Sequence, residues 1–134
     1  MEPAQRIEDL IVWQRACELR DLVHDMIRQA PVRSNRRFCR QIETSSASVP
    51  ANVAEGFGRY FPKENAAFVR VAKASLLETR NYLQEGRTKR YWHPEQFSRA
   101  WRLSCRVLKA IVPYLLYLES CAGKLPADRQ EPRT

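Results

Sequence analysis

The middle of the chain carries a series of lysines and arginines that are suited to an anionic ligand. Their spacing from Arg59 to Arg87 is close to multiples of 3.5 residues, which aligns them along one stripe of a predicted helix. A stripe of positive charge is suited to the phosphate backbone of RNA or DNA, because each neutralised phosphate releases counterions without any base being read. The predicted nucleic-acid-binding residues are Arg59, Lys63, Arg70, Lys73, Arg80, Arg87, Lys89 and Arg90.

The same stripe has a simpler interpretation as a solvated helix surface. Glu85 and Lys89, for example, are four residues apart and suited to an ordinary ion pair along the helix. Aromatic residues near the two ends of the stripe favour the ligand interpretation, because exposed rings stack on unpaired bases. These residues are Tyr60, Tyr91 and Trp92. The sequence leaves both interpretations open.

A second motif, SVPANVAEG at residues 48–56, combines small, polar and helix-breaking residues. Asn52 and Glu55 are three residues apart and share one helix face. One interpretation is a polar site inside the protein. The preferred one is a hydrogen-bond network that fixes helix register or a subunit contact, because an unpaired buried polar group costs about 1–3 kcal/mol. The predicted structural motif comprises Pro50, Asn52, Glu55 and Gly56.

Residues with catalytic or metal-binding potential form no recognisable pattern. His24 and His93 belong to no acid–base or nucleophile motif. The chain has no glycine-rich phosphate loop. The four cysteines lack the short spacings of a zinc site; they are Cys17, Cys39, Cys105 and Cys121. We therefore predict no enzymatic activity, no cofactor and no metal.

Charge is unevenly distributed over the 134 residues, whose formal net charge is +8. Residues 1–30 have a net charge of −2, whereas the rest of the chain is basic. This asymmetry favours a polyanion or an acidic protein surface as partner. The unpaired cysteines, the absence of a signal-peptide pattern and the lack of an apolar run of about 18 residues predict a cytoplasmic protein without membrane contact.

Four segments with helical periodicity must position these residues. They cover about residues 8–29, 35–57, 62–87 and 94–120 and are separated at Pro31, Pro62 and Pro94. Gly86 is a candidate end of the third helix, although Thr88–Arg90 could extend the helix by a turn. Short connections make successive helices antiparallel, so we predict an all-α domain over residues 1–121, an up-down-up-down antiparallel four-helix bundle. Residues 122–134 are predicted to be a disordered tail.

The segment at residues 48–56 and the stretch FPKENAAFVRVAKASLLETRNYL after it resemble the four helix bundle protein family, also called the large-subunit ribosomal RNA intervening-sequence protein family. The opening LIVWQRA at residues 10–16 is similar to the start of that family. The resemblance implies a four-helix bundle that commonly forms a homopentamer and is not an established enzyme. A similar bundle is the accessory protein of diversity-generating retroelements, which binds nucleic acid and contacts a reverse transcriptase.

Two functions follow as expectations from the residues and the resemblance. In the first, the protein is a non-enzymatic accessory bundle that binds RNA or DNA through its basic surface, as an adaptor for a reverse transcriptase or another protein partner. In the second, it is a self-assembling scaffold or protein-docking module that binds no nucleic acid. Both include a homo-oligomer, with a pentamer favoured by the resemblance.

Overall fold

The computed structural model describes residues 4–122, which fold into four α-helices without a strand. The helices are α1 (Ile11–Met26), α2 (Arg36–Phe57), α3 (Pro62–Thr88) and α4 (Pro94–Cys121), with 3-10 turns at Ile7–Asp9 and Val32–Ser34. The predicted all-α, four-helix fold is therefore confirmed. The predicted tail at residues 122–134 lies outside the described residues from residue 123 onward.

The first helix is shorter than its periodicity predicts. It begins at Ile11 instead of near residue 8, because Ile7–Asp9 forms a 3-10 turn and Leu10 is extended, with φ −84° and ψ 115°. It ends at Met26, three residues before the predicted end. Apolar spacing indicates which residues face the core, but it does not distinguish an α-helix from the turns that flank it.

Proline and polar side chains define the starts of the later helices. Both α3 and α4 have proline in the first turn, where a missing N–H has no helical partner to lose. The side chain of Asn35 accepts a hydrogen bond from the Phe38 N–H at 3.1 Å and caps α2. α2 continues through the buried Pro50 to Phe57.

Each helix packs against the next one in the chain, and α1 also packs against α4. The contacts show that α2 and α3 are antiparallel, since Ser45 meets Thr79 and Ser48 meets Ser75. The same holds for α3 and α4 through contacts described below. The shared core contains fully buried side chains from every helix, among them Leu19, Ile42, Leu76 and Ile111.

Candidate nucleic-acid interface

Three residues of the predicted cationic stripe lie between α3 and α4: Arg70, Arg80 and Arg87. Arg70 forms an ion pair with Glu119 of α4 at 2.9 Å. Farther along α3, the guanidinium of Arg87 lies over the ring of Phe97, 4.7 Å from its centroid. Because these side chains contact α4, this part of the stripe belongs to the interface between α3 and α4.

Arg80 is the most enclosed member of the stripe. Its guanidinium lies 4.2 Å from the ring centroid of Trp101, and Nη2 donates to the Cys105 Sγ at 3.6 Å. The Nε atom is buried and has no hydrogen-bond partner among the described residues. Trp101 in turn stacks on Phe97, with ring centroids 5.7 Å apart and an interplanar angle of 16°. Arg80 therefore acts as part of the α3–α4 packing.

The other stripe residues fall into two groups. Arg59 pairs with Glu55 at 3.1 Å and Lys89 with Glu85 at 3.0 Å, both within one helical turn. Such local pairs are what the simpler interpretation predicts. Three cations take part in no ion pair between described residues: Lys63, Lys73 and Arg90. Of the stripe, these three have the charge most available to a ligand.

α4 carries a second row of cations, which was not among the nucleic-acid-binding residues predicted from the sequence. Its members are three or four residues apart, are exposed and form no ion pair with any described residue. They are Arg99, Arg102, Arg106 and Lys109. Residues 96–118 contain no Asp or Glu. The spacing alone would have revealed this row, because steps of three and four residues keep side chains on one helix face.

The expectation that Tyr91 and Trp92 stack on bases is wrong. Trp92 is only 7% exposed, and its Nε1 donates to the Leu83 carbonyl at 3.0 Å. The Tyr91 hydroxyl accepts a hydrogen bond from the Asn35 Nδ2 at 2.8 Å, and its ring packs edge-on against Phe38. Both rings connect the end of α3 to the core. Tyr60, in contrast, is 44% exposed.

The polar motif of α2 separates into a network and an exposed residue. Asn52 donates through Nδ2 to the Ser48 carbonyl at 2.8 Å and to the Ser48 hydroxyl at 2.9 Å. That hydroxyl is 2.8 Å from the Ser75 hydroxyl of α3. Glu55 is exposed and pairs with Arg59 instead. The structure therefore does not bring Asn52 and Glu55 together in an interior site. Asn52 holds Ser48, whose hydroxyl links α2 to α3.

Gly56 marks the closest approach of α2 and α3. A Cβ atom at this position would lie 2.6 Å from the Asn65 Oδ1 and 3.0 Å from the Phe68 Cβ. Asn65 is fully buried, and its Nδ2 donates to the Tyr114 hydroxyl at 3.3 Å. The motif residue Gly56 is thus a packing residue at the α2–α3 interface, and Pro50 is buried within α2.

The described residues contain no metal-binding cluster, and two of their thiols are poorly suited to nucleophilic chemistry. Within residues 4–122, no cluster of three or more His, Cys, Asp or Glu side chains could hold a metal ion. Burial raises the pKa of the Cys17 and Cys39 thiols. Both are therefore protonated at neutral pH, and a thiol is a poor nucleophile compared with its thiolate.

Comparison with protein families gives a match. The family model described as 23S rRNA-intervening sequence protein matches residues 8–112, which include the α2 motif, the α3 stripe and the α4 row. No curated protein matches the chain. Across the part of the chain that the structure describes, no helix combines the length and apolar character needed to cross a bilayer.

Proposed function

Because the chain belongs to the 23S rRNA-intervening sequence protein family, we propose that it is a non-enzymatic accessory protein that binds RNA or DNA through its basic surface. The family is one of small helical proteins associated with ribosomal RNA, and it is not a known enzyme family. We place the protein in the cytoplasm, as an adaptor that holds nucleic acid for a partner such as a reverse transcriptase.

The observation that carries the proposal is the α4 row. Arg99, Arg102, Arg106 and Lys109 extend over about 15 Å at a rise of 1.5 Å per residue. No carboxylate of the described residues neutralises them. In a polyanion-binding protein such a row has a direct use, because several phosphates lie within that distance along a nucleic-acid strand.

The α3 stripe contributes to the same surface in two ways. Lys63, Lys73 and Arg90 are proposed to contact phosphates directly. Five further stripe residues are held by neighbouring side chains and contribute mainly to the local positive potential. These are Arg59, Arg70, Arg80, Arg87 and Lys89.

A charge reversal on α4 tests the proposal. In Arg102→Glu with Arg106→Glu, both positions are exposed, so the fold should persist. We expect at least about tenfold weaker binding to a labelled RNA at about 100 mM salt, and a log–log salt slope smaller by about 2. Fluorescence anisotropy at several salt concentrations measures both quantities.

The matched control, Arg6→Glu with Arg20→Glu, makes the same change of charge on the α1 side, where both arginines already pair with acids. It should retain most of the affinity. Equal losses in the two variants would show that only total charge matters. A wild-type protein that binds no RNA at low salt would contradict the proposal itself.

One observation favours the alternative function as a self-assembling scaffold. Seven large apolar side chains are between 44% and 61% exposed. They are Ile11, Tyr60, Phe61, Val71, Leu77, Leu116 and Tyr117. Exposed apolar groups on one part of a surface are typical of protein contacts. We propose a homo-oligomer in which copies meet through a subset of these side chains that includes Val71 and Leu116, with a pentamer suggested by the family resemblance. It is compatible with nucleic-acid binding elsewhere on the molecule.

A further inference from the structure

Four helix termini meet at one end of the bundle. The Asn35 Nδ2 donates to the Tyr91 hydroxyl at 2.8 Å, which joins the start of α2 to the end of α3. The Gln96 Nε2 donates to the Gln29 Oε1 at 2.8 Å, which joins the start of α4 to the end of α1. Residues 25–43 and 85–99 therefore lie together, and we call them the cationic end.

The cationic end holds 9 Lys or Arg residues against 4 Asp or Glu residues. All nine cations are exposed: Arg28, Arg33, Arg36, Arg37, Arg40, Arg87, Lys89, Arg90 and Arg99. We call the opposite end, residues 4–15, 54–70 and 112–122, the neutral end. It holds 5 cationic and 5 acidic residues. The excess charge of the described residues is thus concentrated at the end where α2 begins.

The arginines at the start of α2 lie at positions where a positive charge lowers the stability of the helix. The N-terminus of a helix carries a partial positive charge, so a cation in the first turn costs about 0.3–1 kcal/mol. Arg36 and Arg37 occupy the first turn of α2, which contains no acidic residue. Neither arginine forms an ion pair with a described residue. No ion pair between described residues offsets this cost, whereas a bound polyanion would do so.

The Phe, Tyr and Trp side chains at the cationic end are buried or half-buried. Phe38, Trp92 and Phe97 are buried, and Tyr91 is half-buried. The exposed Phe and Tyr rings among the described residues belong to the neutral end; they are Tyr60, Phe61 and Tyr117. Proteins that bind single strands depend on exposed rings on which unpaired bases stack. Among its described residues, the cationic end offers nine exposed cations and the exposed imidazole of His93, but no exposed Phe, Tyr or Trp ring.

We propose that the nucleic acid bound by this protein is base-paired RNA and that the cationic end contacts its phosphate backbone. The inference rests on the proposed function, because it specifies the kind of nucleic acid and extends the proposed surface beyond Arg90 and Arg99 to the arginines at the start of α2. A duplex carries about twice the charge of a single strand per unit length. Duplex RNA is recognised mainly through shape and phosphate contacts, which exposed arginines on a rigid helical end can provide.

The test compares two labelled RNAs of equal nucleotide number, a hairpin with about 16 base pairs and an unstructured uridine strand. Equal nucleotide number keeps the total phosphate charge constant, so that the two RNAs differ in pairing and in the charge density and shape that pairing produces. We expect the wild-type protein to bind the hairpin at least about tenfold more tightly in fluorescence anisotropy at about 100 mM salt.

Arg36→Glu with Arg37→Glu tests the location. Hairpin affinity should fall at least about tenfold, while the Tm should rise because two anions replace two cations at the positive end of the α2 dipole. A rise in Tm also shows that lost binding does not come from unfolding. The milder Arg36→Gln with Arg37→Gln should lose less affinity, and Arg6→Glu with Arg20→Glu again serves as the matched control.

The possible results separate this inference from the proposed function. Equal affinity for hairpin and single strand would overturn the inference and leave the proposed function in place. Binding to neither RNA would overturn both. A hairpin preference that survives Arg36→Glu with Arg37→Glu would show that the cationic end is not the site.

Discussion

At the scale of single residues, Arg80 shows that a cation in a predicted binding stripe can serve the fold. Its guanidinium packs over Trp101 and reaches the Cys105 sulfur. A cation over an aromatic ring contributes about 0.5–2 kcal/mol, with larger values when water is excluded. Its role in packing must therefore be separated from any role in binding.

Truncation of this side chain should lower stability. Arg80→Ala removes the cation over Trp101 and the packing of its aliphatic stem, so we expect the free energy of unfolding to fall by about 1–2 kcal/mol. Lys73→Ala removes a cation of the same stripe that has no ion pair with a described residue, and its effect should stay within about 0.5 kcal/mol. Urea unfolding followed by tryptophan fluorescence measures both. Equal effects would refute the packing role of Arg80.

The spacing of the stripe predicted which α3 residues share one side of the helix, but not which side chains of other helices they contact. Periodicity within α3 carries no information about Phe97 and Trp101, which approach Arg87 and Arg80 from another helix. The sequence also gave no sign that Trp92, in a short connection, is buried. Its burial depends on space that only the folded α3 provides.

At the scale of elements, the missing side chain of Gly86 leaves the space that the Trp92 indole occupies. A Cβ at residue 86 would overlap the indole of Trp92, whose Nε1 donates to the Leu83 carbonyl. The chain then turns at Arg90, which has φ 58°, and the Tyr91 N–H donates to the Gly86 carbonyl at 2.8 Å. Gly86, expected to end α3, lies within it, because α3 continues to Thr88.

Two glycine substitutions should have opposite effects. Gly86→Ala forces the buried Trp92 to shift, so it should destabilise the protein by about 1–3 kcal/mol. At Gly58 the nearest atom would be 3.6 Å from a Cβ, and φ is −76°. Gly58→Ala should therefore stabilise by about 0.4–1 kcal/mol through the unfolded chain. Thermal unfolding measures both changes, and a neutral Gly86→Ala would show that Trp92 tolerates displacement.

At the scale of the whole molecule, the four-helix architecture was predictable because apolar residues recur every three or four positions along each helix. The concentration of charge at one end was not predictable from any single segment. It depends on the chain bringing the start of α2 next to the end of α3, so that arginines separated by about fifty residues become neighbours. The net charge of each sequence segment does not reveal which segments become neighbours in the fold.

The exposed apolar side chains predict self-association. Val71 and Leu116 are 49% and 61% exposed, so Val71→Lys with Leu116→Lys should leave the monomer folded. If copies meet through this surface, the mass by light scattering should fall from a multiple to the monomer's 15.7 kDa. The control Asn81→Lys with Thr88→Lys adds the same charge at exposed polar positions of α3. An oligomer that persists in both variants would place the contact elsewhere.

The unequal ends also give the protein an electric dipole along the bundle axis. Helices of 22 to 28 residues in α2, α3 and α4 separate the two ends by about 30–40 Å. The field of an approaching polyanion exerts a torque on such a molecule, so that it rotates before contact and meets the polyanion with the start of α2 in front. Productive collisions thus become more frequent, and this gain decreases steeply as ionic strength rises.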